Sequence, residues 1–279
     1  MKKLISLLLC GVSLLAFELQ TTKIANGAIA FLDLGDAKEL KVSLADQEFP
    51  VLQDPKDPSK SYTLIPISYY EKFGTKQISL RYKQKREQLS FDVVDGAYEK
   101  EILQVQNSKV SLSKKDKERT AKEYAKAMQI YKTKTAKNYI NSAFIMPLNS
   151  KITSDFGKAR VYNGSLKGYH SGTDFRAEVG TEIIASNDGV VVLAEDRFYA
   201  GGSVIIDHGQ GIYTTYYHLS KFLVQEGDLV KKGQKIALSG ESGRVTGPHL
   251  HFGVRVFGVQ VDPLAFITVI NKNLFKEEG

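Results

Sequence analysis

The chain has 279 residues, 42% of them hydrophobic, enough for one large core or two ordinary ones. Fourteen tyrosines and 14 phenylalanines supply bulky filling in the absence of tryptophan. The formal charge of +7 favours anionic partners, but no nucleic-acid-binding motif accompanies it, so a nucleic-acid function is set aside.

Lys2 and Lys3 precede an apolar run from Leu4 to Ala16, closed by Glu18. A basic start and a short apolar stretch build a secretory signal peptide over residues 1–16, too short for a stable membrane span. Cleavage after it removes Cys10, the one cysteine. The mature chain then has no disulfide, no cysteine-ligated metal and no cysteine nucleophile. Losing Lys2 and Lys3 also leaves 36 basic and 31 acidic residues, a net +5.

Residues 17–106 read as short strands. Leu40, Val42 and Leu44 alternate with polar residues, as do Ile78, Leu80 and Tyr82, and then Leu89, Phe91 and Val93. Period-two alternation broken by turn residues predicts an immunoglobulin-like β-sandwich. The stretch Asp54-Pro55-Lys56-Asp57-Pro58 is a loop. Residues 107–140 form a connector whose helix runs from about 113 to 134. Ser113 caps it, with Asp116 three positions on. Ala121, Tyr124, Ala125, Met128 and Tyr131 share one face at helical spacing.

Residues 141–279 form the second domain. All five histidines (170, 208, 218, 249, 251) and 17 of the 23 glycines, from Gly157 to Gly258, lie there. Strand and glycine turn alternate throughout, with hairpin signals at Asn187-Asp188-Gly189 and Gly209-Gln210-Gly211. Val224 to Gly240 reads as another turn-rich strand pair. No helix of useful length is evident, so this half is expected to be antiparallel β and the whole chain mainly β.

Two constellations carry chemistry. In His170-Ser171-Gly172-Thr173-Asp174, an extended backbone places the His and the Asp on one side, because side chains alternate faces. In His249-Leu250-His251, two imidazoles share one side of a strand that begins after Pro248. Two histidines, one aspartate and a position left for water describe a catalytic zinc site. Magnesium and calcium prefer all-oxygen shells. The spacing leaves open which of His249 and His251 binds metal. The other member, together with His218, is available to move protons. His208, in Asp207-His208-Gly209 at a hairpin, reads as structural.

These stretches resemble the lysostaphin-type, LytM-domain zinc endopeptidases of peptidoglycan. Ser154-Asp155-Phe156-Gly157, His170 to Phe175, Ala185 to Val191, Ile206 to Gly209, Tyr216 to Ser220, Gly227 to Gln234, Ser242 to Phe252 and Val261-Asp262-Pro263 carry the resemblance. The resemblance implies a LytM-type peptidase domain with one zinc ion held by His170, Asp174 and His251. It implies His218 and His249 as the pair that aids proton transfer and stabilises the oxyanion. It implies peptidoglycan peptide stems as substrate, a periplasmic site at the cell wall, and cell-wall protein partners. Arg160 to Tyr169 should form a wall of the groove, with Arg160 and Asn163 as candidates for contacts to substrate carboxylate or amide groups. The rival reading is a non-catalytic murein-binding activator of a cell-wall amidase. A carrier-like β domain, suggested by Val224 to Ser239, lacks an attachment lysine at a tight turn.

Overall fold

The computed structural model describes residues 17–37, 39–104, 112–162, 164 and 166–275, so residues 1–16, read above as a signal peptide, lie outside the described residues. The chain is mainly β. Among the described residues, the N-terminal half contains β1 (Glu18–Leu19), β2 (Lys23–Ala25), β3 (Ile29–Gly35), β4 (Leu40–Leu44), β5 (Gln47–Phe49), β6 (Leu52–Gln53), β7 (Ser61–Pro66), β8 (Gly74–Tyr82), β9 (Lys85–Val94) and β10 (Lys100–Leu103). One sheet runs β1-β3-β7-β6 and another β2-β9-β8-β4-β5.

The alternation seen in the sequence becomes cross-strand pairing. Leu40 lies opposite Tyr82, Val42 opposite Leu80, and Ile78 opposite both Leu44 and Leu89. Their buried members, with Phe91 and Val93, meet Ala30, Leu32, Leu34 and Ile65 from the other sheet. One pairing departs from the antiparallel pattern, since β2 runs parallel to β9. The segment Lys100–Leu103 leaves this pair of sheets altogether. β10 pairs in parallel with β12 (Ala159–Tyr162), setting Glu101 opposite Arg160.

Helix α1 spans Lys114–Lys132. The Ser113 hydroxyl oxygen accepts from the Asp116 backbone N–H at 3.1 Å and donates to the Asp116 carboxylate at 2.7 Å, satisfying an otherwise orphaned helix-end donor. The buried face is the expected one only in part. Tyr131 and Met128 pack inward with Ala127 and Ile130, whereas Ala121, Ala125 and Tyr124 are exposed, Tyr124 by 65%. Polar anchoring explains the difference. Glu123 accepts the Phe198 backbone N–H at 2.9 Å, and Lys126 reaches Glu195 at 2.6 Å.

The C-terminal half continues with β11 (Ile152–Ser154), β12, β13 (Leu166–Tyr169), β14 (Thr173–Arg176), β15 (Glu182–Ile184), β16 (Gly189–Arg197), β17 (Gly201–Asp207), β18 (Ile212–Phe222), β19 (Leu229–Val230), β20 (Lys235–Ser239), β21 (His249–Val256) and β22 (Val259–Val261). The main sheet runs β11-β14-β21-β18-β17-β16-β19, with every pairing antiparallel. The turn-rich pair expected over Val224 to Gly240 does not form, because β19 pairs with β16 while β20 pairs with β15 and β18. The expectation of no useful helix also fails: α2 occupies Pro263–Leu274, capped by Asp262.

Candidate metal centre and its cleft

Strand pairing brings the donor atoms together. In the β14–β21 ladder Asp174 lies directly opposite His251, and Arg176 opposite His249. Leu250, Phe252 and Val254 point into the core, so period two turns His249 and His251 to the other face. His170 reaches the same point from the end of β13. The stretch from His170 to Asp174 is not fully extended; it bends at Gly172. That bend needs glycine, since a Cβ there would lie 2.4 Å from the Phe252 carbonyl oxygen and 2.6 Å from His251 Nε2.

The result is a buried trio. Asp174 Oδ1 lies 2.8 Å from His170 Nε2 and 2.8 Å from His251 Nδ1, and those two nitrogens are 3.0 Å apart. The chemistry of this set fits a cation. His170 Nδ1 is 2.7 Å from the Asp155 carbonyl oxygen. A carbonyl only accepts, so Nδ1 donates, and a ring whose one proton sits there presents its Nε2 lone pair to the Asp174 carboxylate. Two acceptors facing each other in a dry site are unfavourable, and a metal ion between them relieves this. Burial opposes the charge of Asp174, but the His170 and His251 contacts hold it well below the usual carboxylate range. Burial pushes His251 down to about 4, keeping it neutral and able to ligate near pH 7. Arg160 Nη2 lies 3.1 Å from Asp174 Oδ2 and fixes that carboxylate with Oδ1 inward.

His218 and His249 flank the trio. Their rings are 4.7 Å apart, and His218 lies 6.0 Å from the His251 ring. His218 sits where the β17–β18 register shifts, with φ +63°. Such bulges re-aim a side chain. Its Nδ1 donates to the Ser242 carbonyl at 2.8 Å, and His249 Nδ1 donates to Gly247 at 2.8 Å. Each ring is left with Nε2 for proton exchange, that of His249 lying 3.7 Å from Asp174 Oδ1. Burial, reinforced by His249 and His251, depresses the His218 pKa well below its ordinary value. His208 lies apart: its Nδ1 donates to the Asp188 carbonyl and its Nε2 accepts from the Thr214 hydroxyl, a structural role as expected.

A cleft of about 260 Å³ opens beside the trio, lined by Asp174, His218 and His249 together with Arg160, Tyr162 and Arg244. The strand β12 thus supplies a wall, as expected, but Arg160 is committed to Asp174 and Glu101. Asn163 lies outside the described residues. Two contributors went unassigned in the sequence. Ser154 Oγ lies 3.2 Å from His170 Nδ1, and Tyr217 stacks on His251 at 5.4 Å with planes 1° apart. Both sit inside the quoted motifs, next to Asp155 and His218, and that adjacency was the available signal.

A buried two-His, one-Asp donor set with two further imidazoles beside an open cleft defines a metal-dependent hydrolase domain. Residues 168–263 match the model of peptidase family M23, and this chain carries a LytM-type domain of that zinc-dependent metallopeptidase family. The peptidoglycan DD-endopeptidase ShyA of Vibrio cholerae is 46% identical over 121 residues, 42% of this chain and 28% of that protein. The DD-carboxypeptidase/endopeptidase Mpg of Neisseria meningitidis is 42% identical over 96 residues, 34% of this chain and 22% of that protein. The chain therefore spans less than a third of the length of these relatives. A crystal structure assigned to peptidase M23 from Pseudomonas aeruginosa aligns with a TM-score of 0.69 and 26% identity, covering 88% of this chain and 95% of that one.

Proposed function

We propose that this chain is a zinc-dependent endopeptidase that hydrolyses peptide cross-links of bacterial peptidoglycan, cutting the D-alanine to diaminopimelate bond. The observation that carries this reading is the convergence of His170 Nε2, Asp174 Oδ1 and His251 Nδ1 within 3.0 Å of one another, flanked by two further imidazoles. ShyA, a peptidoglycan DD-endopeptidase, supports the substrate, and both ShyA and the DD-carboxypeptidase/endopeptidase Mpg support a DD bond as the one cut.

His170, Asp174 and His251 would hold one zinc ion. Bound there, zinc supplies Lewis acidity that polarises a carbonyl and acidifies a water near pH 7. The remaining work falls to the protein. His218 and His249 each fix Nδ1–H on a backbone carbonyl and keep Nε2 for proton exchange. One accepts the proton of the attacking water. Once protonated, the same Nε2–H donates to the leaving amine, while the other ring, when it carries a proton on Nε2 as well as on Nδ1, donates to the developing oxyanion. Arg160 holds the carboxylate ligand in place, and Tyr217 holds the His251 ring.

The reading extends to the whole chain. Residues 1–16 direct export to the periplasm, residues 17–106 and 107–140 form a module and a connector, and residues 141–279 do the chemistry at the cell wall. No helix among the described residues is long and apolar enough to cross a membrane. A non-catalytic amidase activator is disfavoured because all five positions of the metal and proton-transfer set are intact.

The test combines zinc content with mass spectrometry of muropeptides released by the purified protein. His251→Ala should lose zinc. His218→Ala should keep it while hydrolysis falls by about 10²–10⁴-fold, the usual contribution of a positioned acid–base group. Full hydrolysis by His218→Ala would remove that residue from the mechanism. A zinc-loaded wild type that releases no cross-linked peptide would leave the activator role.

A further inference from the structure

We infer that Arg244 binds a free carboxylate of the stem peptide beside the scissile bond, making it a substrate-recognition residue of the cleft. This rests on the endopeptidase reading above and adds to it a specific anionic subsite.

The charge inventory of the cleft isolates this residue. Its charged lining consists of Glu101, Arg160, Asp174 and Arg244. Three of these satisfy one another: Arg160 lies 2.8 Å from Glu101 Oε2 and 3.1 Å from Asp174 Oδ2. Among the described residues, the Arg244 guanidinium has neither an ion-pair nor a hydrogen-bond partner, and its recorded side-chain contacts are with two aromatic rings. Arg160, one of two candidates the sequence offered for substrate contact, is therefore already engaged, and Arg244 is the uncommitted cation of the cleft.

Those rings make a clamp. The guanidinium carbon lies 4.2 Å from the Tyr162 centroid and 4.4 Å from the Tyr199 centroid. Both rings hold the cation at cation–π distance, and its N–H donors form a fork matched to a carboxylate. The double contact restricts the side chain before substrate arrives, so less side-chain freedom is lost on binding.

The backbone sets the fork's distance from the chemistry. Arg244 N donates to the Tyr199 carbonyl at 2.8 Å. At Gly243, with φ +84°, a Cβ would stand 2.4 Å from Gly201 N and 2.5 Å from Tyr199 O, so the loop is pressed against the turn before β17. One residue earlier, the Ser242 carbonyl accepts the His218 Nδ1 proton. The loop that orients a proton-transfer histidine thus also carries the cation. Cross-linked stem peptides bear free carboxylates close to the bond that is cut, and a single fixed fork would select the register in which that bond reaches His218 and His249.

The test uses the full zinc-loaded chain and two probes: a purified cross-linked muropeptide dimer, and the same dimer with its carboxylates converted to amides. Hydrolysis is followed as kcat/KM by mass spectrometry, and binding of both probes is measured by calorimetry on His218→Ala protein with and without Arg244→Gln. The wild type should prefer the free-carboxylate dimer by about ten- to a hundredfold, the range for a charge-assisted pair. Arg244→Gln should erase that preference by lowering the free-carboxylate rate alone, and Arg244→Lys should keep part of it. Equal losses on both dimers, or a wild type blind to amidation, would overturn the subsite while leaving the endopeptidase intact. If neither dimer is cut, the endopeptidase reading fails and calorimetry decides the subsite. Carboxylate-dependent affinity lost in Arg244→Gln upholds it; equal affinities overturn it.

Discussion

Four of the five histidines place Nδ1 within 2.7–2.8 Å of a backbone carbonyl oxygen, so the fold rather than pH selects their tautomer. In His170 and His249 the remaining Nε2 lies 2.8 and 3.7 Å from Asp174 Oδ1. In His208 it accepts from Thr214 at 2.8 Å, and full burial pushes the ring's pKa down from 6.5 to about 4. The linkage sign follows. An unfolded chain binds a proton at His208 below about pH 6.5, whereas the folded chain resists until about pH 4. The stabilisation is present above 6.5 and is lost as pH falls through 4, on the order of 3 kcal/mol in full. His208→Asn keeps a donor for Asp188 but does not titrate. Urea midpoints at pH 7 and 4.5 should fall further in the wild type than in His208→Asn; parallel losses would show that His208 does not carry this proton. The ligand roles were only partly legible at this scale. Alternation puts His249 and His251 on one face but cannot rank them. The strand register sets His251, not His249, opposite Asp174, and register depends on contacts far apart in sequence.

Elements were legible where a local pattern decides them. The sandwich strands β4, β8 and β9 follow from alternation alone, and α1 starts at the cap that Ser113 announces. Its buried face was only partly anticipated because the tertiary anchors Glu195, Asp196 and the Phe198 backbone outweigh a thin alanine-rich stripe. Helix α2 was missed because Ile267-Thr268-Val269-Ile270 reads as a β-branched strand run. The counter-signal was present in Asp262-Pro263, a cap followed by proline at the first helical position, with Phe266, Ile267, Ile270 and Leu274 at helical spacing. Asp262 Oδ1 accepts from Leu264 N at 2.8 Å and Ala265 N at 3.3 Å, while its own backbone N–H donates to Gly27 at 2.8 Å. Asp262→Ala should therefore cost about 1–2 kcal/mol, and Asp262→Asn, which can still cap, should recover most of it. Chemical denaturation of the three proteins checks this. Equal stability of the alanine and asparagine variants would rule out the cap as the source of any loss.

At the scale of the molecule, the first sheet is buried on both faces. Along β3, Ala30, Leu32 and Leu34 pack into the sandwich, while Ile29 and Phe31 pack with Tyr62 and Leu64 into the core that holds Phe252, Phe266 and Leu274. Tyr69 of the N-terminal half also stacks at 4.0 Å on Tyr169, the residue before His170. This continuity could not be read from residues 17–106, because a strand buried on both faces loses the polar half of its alternation and resembles any apolar run. It predicts that the two halves unfold together. Phe31, 5% exposed and stacked on Tyr62 at 5.0 Å, lies far in sequence from every candidate ligand. Phe31→Ala should cost about 3–5 kcal/mol. In calorimetry the wild type should show one transition whose calorimetric and van't Hoff enthalpies agree, and Phe31→Ala should shift that transition as a whole to lower temperature. Two transitions, with only one moved by Phe31→Ala, would mean that the shared core does not couple the sandwich to the metal-binding half.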